Sequence, residues 1–139
     1  MNLTKLFGVL LLAPMLASPA LAGDAAKGES TFKRCKACHA ITAADGTAIV
    51  KGGKTGPDLF GVIGRVVGSV EGFRYGDSIV AVGEAGNVWD EENLAKYVAD
   101  PKAWLAEKLD DPKAKTNMTF KLKKGGDDMA AYLASLGSS

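Results

Sequence analysis

One histidine and two cysteines are the only imidazole and thiols in this 139-residue chain. With His39 alone, any site built on a histidine pair is excluded. A zinc centre of four protein ligands would need another histidine or a second cysteine pair, and neither exists. Aromatic residues make up only 7% of the chain. Between Arg74 and Lys96 there is no basic residue, although Glu84, Asp90, Glu91 and Glu92 lie there. Internal repeats, low-complexity tracts and a second-domain linker are also missing, so the length suits one domain with one core.

The long apolar run is confined to the N-terminus. Lys5 supplies a positive n-region, residues 6–16 an apolar h-region, and Ala20-Leu21-Ala22 a small-residue cleavage site before Gly23. As a membrane anchor this stretch is too short, is broken by Pro14, and runs into Ser18 and Pro19. Residues 1–22 are therefore predicted to be a cleaved secretory signal. Residues 23–139 would form the mature domain, without a membrane span and in an exported, periplasmic setting.

Losing the signal removes Lys5 and no carboxylate, leaving 16 residues of each sign. A balanced chain is not a general nucleic-acid binder. The charges are nevertheless segregated: Lys33, Arg34 and Lys36 form one basic cluster, and Lys113, Lys115, Lys121, Lys123 and Lys124 another. If the two meet in space, the molecule has a positive face and a strong dipole.

Both cysteines and the histidine fall in one pentapeptide, Cys35-Lys36-Ala37-Cys38-His39. Two thiols three positions apart, followed at once by an imidazole, are the attachment signature of a c-type haem. The thiols bond the porphyrin edge, and His39 is placed where a ring nitrogen can coordinate the iron. A disulfide would suit an oxidising compartment, but this spacing makes a poor structural staple. A thioredoxin-like pair needs a preceding strand, whereas the residues before Cys35 read as helix.

Those residues, 24–39, carry Ala25, Gly28, Phe32, Cys35 and His39 on one helical face, with Asp24 as N-cap. Gly28 costs about 1 kcal/mol relative to alanine in mid-helix, which suggests close approach of another backbone. Residues 40–76 hold nine glycines and one proline, Pro57, and are expected to lack regular structure. Such a stretch can wrap a flat apolar cofactor, which a small chain with few aromatics needs as part of its core. Arg65, Tyr75 and Trp89 are the polar-tipped side chains best suited to haem propionates. A short helix is expected over 77–82. The next is capped by Asp90 and buries Leu94, Tyr97 and Val98; Asp100-Pro101 ends it and opens another, which buries Trp104, Leu105 and Leu109. Residues 113–124 read as loop, and Asp127 as the cap of a last helix with Met129, Tyr132, Leu133 and Leu136 on its apolar face.

The second axial ligand decides what the haem does. Met1 and Met15 leave with the signal, and Met129 fits the core stripe of the last helix. Met118 lies in a polar loop with no helical face to join, so it is the better thioether candidate. Lysine ligation or an open sixth position are the alternatives.

In its motifs and their order the mature chain resembles the bacterial class I c-type cytochromes of the cytochrome c2 and c-550 type. The resemblance is carried by the pentapeptide, Lys54-Thr55-Gly56-Pro57-Asp58-Leu59, Gly61-Val62-Ile63-Gly64-Arg65, Gly72-Phe73-Arg74-Tyr75, Trp89, Leu94-Ala95-Lys96-Tyr97, Asp100-Pro101 and Lys115-Thr116-Asn117-Met118-Thr119-Phe120. It implies an all-α class I cytochrome c fold of about five helices, with first and last helices crossing and a glycine-rich loop around one haem c held by Cys35 and Cys38. It implies His39 and Met118 as iron ligands, and Pro57 accepting the His39 N–H. Tyr97 would bond near the Met118 sulfur, Trp89 and Tyr75 would meet one propionate, and Arg65 would lie near the other. Gly28 and Phe32 would pack on Met129 and Tyr132. Asp58 replaces the usual asparagine, and Asn117 a frequent lysine.

The implied activity is that of a monomeric, soluble periplasmic one-electron carrier, not an enzyme. It would shuttle electrons from a cytochrome bc1 complex to a photosynthetic reaction centre or terminal oxidase, docking through lysines around the haem edge. A haem enzyme or gas binder would need a labile sixth position and a distal acid-base residue, for which no spare histidine exists. A structural module with an incidental pentapeptide would lack the c-type spectrum.

Overall fold

In the computed structural model, which describes residues 23–137, Asp24 starts the first helix as expected. Its carboxylate accepts the amides of Ala26 and Lys27 at 3.0 and 3.1 Å, capping α1 (Ala25–Phe32). The predicted signal, residues 1–22, lies outside the described residues.

The first helix is shorter than its periodicity suggests. Past Phe32 the amides of Arg34, Cys35 and Cys38 bond three residues back, while those of Lys36 and His39 bond four back. The carbonyls of Lys36 and Cys38 are taken instead by the amides of Gly53 and Gly56, at 2.9 and 2.8 Å. Mixed three- and four-residue bonds thus make the pentapeptide a run of turns, and with those two carbonyls taken the chain cannot continue as helix past His39.

The glycine-rich stretch is not wholly irregular. β1 (Ile41–Thr42) and β2 (Ala48–Val50) pair antiparallel, Ile41 opposite Val50, with a bulge between Ile41 and Thr42. Strands of two and three residues are too short for alternation to be read from sequence. Ile41 is fully buried and anchors the hairpin in the core.

The remaining helices are α2 (Asp77–Glu84), α3 (Glu91–Ala99), α4 (Pro101–Leu109) and α5 (Gly126–Ser135). Asp90 caps α3, accepting the Asn93 amide, and Glu91 and Glu92 sit in its electropositive first turn. Asp100 closes α3 and caps α4 through the Ala103 amide, with Pro101 at the first turn. Asp110, left-handed at φ 49°, stops α4.

The start of α5 differs from the sequence reading. Its cap is Gly125, at φ 80°, with no side-chain hydrogen bond, and Asp127 lies inside the first turn. The adjacent Asp128 carboxylate instead accepts the Asp24 amide at 2.7 Å, tying the two ends of the described chain together.

α1 and α5 cross at Gly28, where a β-carbon would stand 1.9 Å from the Asp128 carbonyl oxygen and 2.7 Å from Tyr132 Cβ. Phe32 and Tyr132 meet with ring centroids 5.9 Å apart. Met129, Ala130 and Leu133 complete the contact in the core. Among the described residues, five helices and one small hairpin make the fold all-α in class, and no helix is long and apolar enough to cross a membrane.

Candidate functional site

The turn that follows α1 places Cys38 and His39 on the wall of a cavity of about 300 Å³. Residues from the glycine-rich segment, α2, α3, α4 and the 115–120 loop complete that wall. Its lining is predominantly apolar, with Leu59, Val62, Ile79, Leu94 and Leu105 among the contributors.

His39 is held in a defined orientation. Its Nδ1–H donates to the Pro57 carbonyl at 2.8 Å, which leaves Nε2 as the ring nitrogen with a free lone pair. Burial pushes the imidazole pKa below its ordinary value, against the opposing pull of the Pro57 carbonyl and the Asp58 charge. A neutral ring is the form that binds metal. Gly56 lies flat on that ring: a β-carbon there would come 2.2 Å from His39 Cε1. Here glycine is required by close approach.

The thiols are not joined to each other. Cys35 is partly buried against the core and Cys38 is exposed at the cavity. Burial raises the Cys35 pKa, with the Arg34 charge opposing.

Every other residue singled out from sequence borders the same cavity: Pro57, Arg65, Tyr75, Trp89, Tyr97 and Met118. Met129 does not; it is 1% exposed, in the core of α5. Arg65 donates through Nη1 to the Asp58 carbonyl at 3.1 Å and through Nη2 to the Phe60 carbonyl, which fixes its half-buried guanidinium at the wall. The Tyr75 hydroxyl accepts the Val70 amide at 3.1 Å and keeps its own O–H to donate into the cavity.

Tyr97 borders the cavity beside the 115–120 loop. Burial raises its pKa, with the Thr116 side chain opposing the rise. Thr116 Oγ1 in turn accepts the Met118 amide at 3.1 Å. The sequence reading gave Thr116 no role of its own. The available signal was a hydroxyl two residues before the candidate ligand, a spacing at which side chains cap their own backbone.

The donors and walls together fit a c-type haem. The Cys38 thiol, an oriented neutral imidazole and a thioether border one apolar cavity, with an arginine and a tyrosine hydroxyl for acidic substituents, and the Cys35 thiol packs against the core one turn earlier. Arg34 of the first basic cluster reaches the loop that carries the second, its guanidinium 5.4 Å from the centroid of the Phe120 ring. Lys115 and Phe120 themselves border the cavity, and Lys121 pairs with Asp100 at 2.7 Å. Asp58, where asparagine is usual, accepts the amides of Thr42 and Phe60 through Oδ1 at 3.1 and 2.9 Å.

No family model matches the chain. Curated relatives do. The chain is 61% identical over 132 residues to the cytochrome c2 of Rhodobacter capsulatus, covering 95% of this chain and 96% of that protein. It is 59% identical over 128 residues to the cytochrome c-550 of Paracoccus versutus, covering 89% and 83% respectively. The solved structure of the Rhodobacter capsulatus cytochrome c2 superposes with a TM-score of 0.80 at 65% identity, over 81% of this chain and 97% of that one. That of ferric cytochrome c-550 from Paracoccus versutus gives 0.79 at 60% identity, over 81% and 97%.

Proposed function

Because the chain belongs to the cytochrome c2 and c-550 group of class I c-type cytochromes, electron carriers with one covalent haem c and not enzymes, we propose a specific role for it. It is a soluble, monomeric periplasmic one-electron carrier, exported by cleavage of residues 1–22. It takes electrons from a cytochrome bc1-type complex and delivers them to a photosynthetic reaction centre or terminal oxidase. The observation that carries this reading is that one apolar cavity is bordered by Cys38, His39 and Met118, with His39 pinned by Pro57.

In this reading Cys35 and Cys38 would attach the haem, and His39 and Met118 would hold its iron. The haem would supply an iron that can be Fe(III) or Fe(II). The chain's part is to keep the two states alike. Pro57 and Gly56 hold the imidazole from one edge and one face, so the ring does not reorient. Thr116 holds the backbone of Met118, accepting its amide and donating to its carbonyl. Arg65 and Tyr75 receive negative charge at the wall, supported by Trp89. A thioether favours the reduced state more than a second nitrogen does, giving a fairly positive potential. Around Phe120, the Arg34 guanidinium and neighbouring lysines steer the molecule to acidic docking sites, at rates that fall with salt.

The test is a spectroscopic redox titration of the holoprotein beside Met118→Ala. Wild type is expected to show a methionine-to-iron charge-transfer band and a positive potential. The variant loses the band and titrates lower. A variant that kept both would remove Met118 from the iron. Rapid, complete carbon monoxide binding by the reduced wild type at neutral pH would overturn the carrier reading itself.

A further inference from the structure

Behind the cavity wall, three large aromatic rings touch one another. Trp89 and Tyr97, both on the wall, have centroids 5.1 Å apart. Trp104, from α4, stacks on Trp89 at 5.0 Å with 24° between planes. It also meets the Tyr97 ring edge-on, at 5.5 Å and 81°. Trp104 does not border the cavity, and it is 4% exposed.

The indole is held by its faces alone. Its Nε1–H is buried and has no acceptor among the described residues, and the Lys108 ammonium lies 5.5 Å from the ring centroid. A buried donor without a partner is unfavourable, so the hydrogen bond cannot be why an aromatic stands here. Packing against Trp89 and Tyr97 is the remaining contribution.

Tyr97 leads onward. It lines the cavity together with Thr116 and Met118, and Thr116 Oγ1 accepts the Met118 amide and donates to the Met118 carbonyl, each at 3.1 Å. The loop carrying Met118 therefore shares a wall with a ring that packs on both Trp89 and Trp104.

We propose that Trp104 is a positioning residue for Met118: by fixing the rings of Trp89 and Tyr97 it holds the ligand loop closed over the haem. This rests on the reading of Met118 as axial ligand. A foreign ligand can bind the iron only from states in which the Met118 loop has let go, so its apparent affinity reports the open fraction.

The experiment is imidazole binding to the ferric holoprotein, followed by the charge-transfer band, in wild type, Trp104→Phe and Trp104→Leu. Leucine removes both ring contacts, and imidazole affinity is expected to rise about tenfold, a change of about 1.4 kcal/mol. Phenylalanine keeps a ring in place and deletes the unpartnered N–H; it is expected to stay within about threefold of wild type on the same scale. Thermal melts of both variants separate loop opening from global loss of structure. A leucine variant that melts lower but binds imidazole as wild type does would overturn the proposal, as would equal effects of leucine and phenylalanine. Should leucine fail to yield holoprotein, Trp104→Met supplies the ring-free arm. A wild type without the methionine band would instead remove the ligand reading beneath the proposal.

Discussion

Replacing Gly28 with alanine is expected to destabilise the protein, although alanine is the better helix former. A β-carbon at this position would lie 1.9 Å from the Asp128 carbonyl oxygen and 2.5 Å from its carbon, where ordinary contact begins at 3.4 Å. The obstacle is the backbone of α5, which no rotamer change can move aside. α1 and α5 must separate locally by about 1.5 Å, the difference between those two distances. Separation loosens the contacts of Phe32 with Tyr132, and with them the core around Met129 and Leu133. Overpacking of this severity costs about 3 kcal/mol, at the upper end of the usual range. Helix propensity returns about 1 kcal/mol, leaving a net loss of about 2 kcal/mol. For a domain of this size that corresponds to a fall in Tm of about 8 °C. Thermal unfolding of the ferric holoprotein by far-ultraviolet circular dichroism measures it directly. Ser30→Ala, an exposed position on the same helix, serves as the control and is expected to change stability by less than about 0.5 kcal/mol. A Gly28→Ala protein as stable as wild type, or more so, would refute the close-approach argument, since the clash would then cost no more than helix propensity returns.

Two further outcomes follow from named contacts. Asp58→Asn keeps an oxygen able to accept the Thr42 and Phe60 amides, so stability is expected to change by less than about 1 kcal/mol. The same change removes a negative charge beside the His39 side of the cavity, which favours the reduced iron; a redox titration at neutral pH is expected to give a higher potential, and an unchanged or lower one would contradict the sign. Asp100 is held below the ordinary carboxylate range by its hydrogen bond to Lys121 and by the Ala103 amide. A depressed folded pKa stabilises above the unfolded value of about 3.9, and that contribution is lost as pH falls through the lower folded value. Asp100→Asn is therefore expected to flatten the acid limb of a stability–pH curve below about pH 4 while lowering stability at pH 7. A parallel acid limb in the two proteins would remove this pair from the linkage.

What could be read locally was read well. The caps at Asp24, Asp90 and Asp100 bond amides two or three residues away, so residue type and spacing were sufficient. Asp127 is not the cap of α5 because the helix begins earlier, at Gly126 after the left-handed Gly125, and its neighbour Asp128 is bonded by the amide of Asp24, 104 positions distant. The apolar spacing of the first helix continues to His39, but past Phe32 the amides of Arg34, Cys35 and Cys38 bond three residues back and the regular helix gives way to turns, a change that the spacing of side chains does not record. The hairpin after Ala40 was too short to leave a periodic trace.

The sequence by itself determined the haem, through five consecutive residues, and the shortlist of ligands, through how few candidates it contains. Cysteine spacing and a lone histidine are facts of covalent order, which folding does not alter. Tertiary structure alone decided how that histidine is held, because the Gly56 backbone and the Pro57 carbonyl reach it from a loop 17 and 18 residues on. It alone brought Arg34 to Phe120, and Trp104 against Trp89 and Tyr97. Such contacts depend on which surfaces meet when α1 closes on α5 and the glycine-rich segment folds over the pentapeptide. No local pattern of residues encodes them.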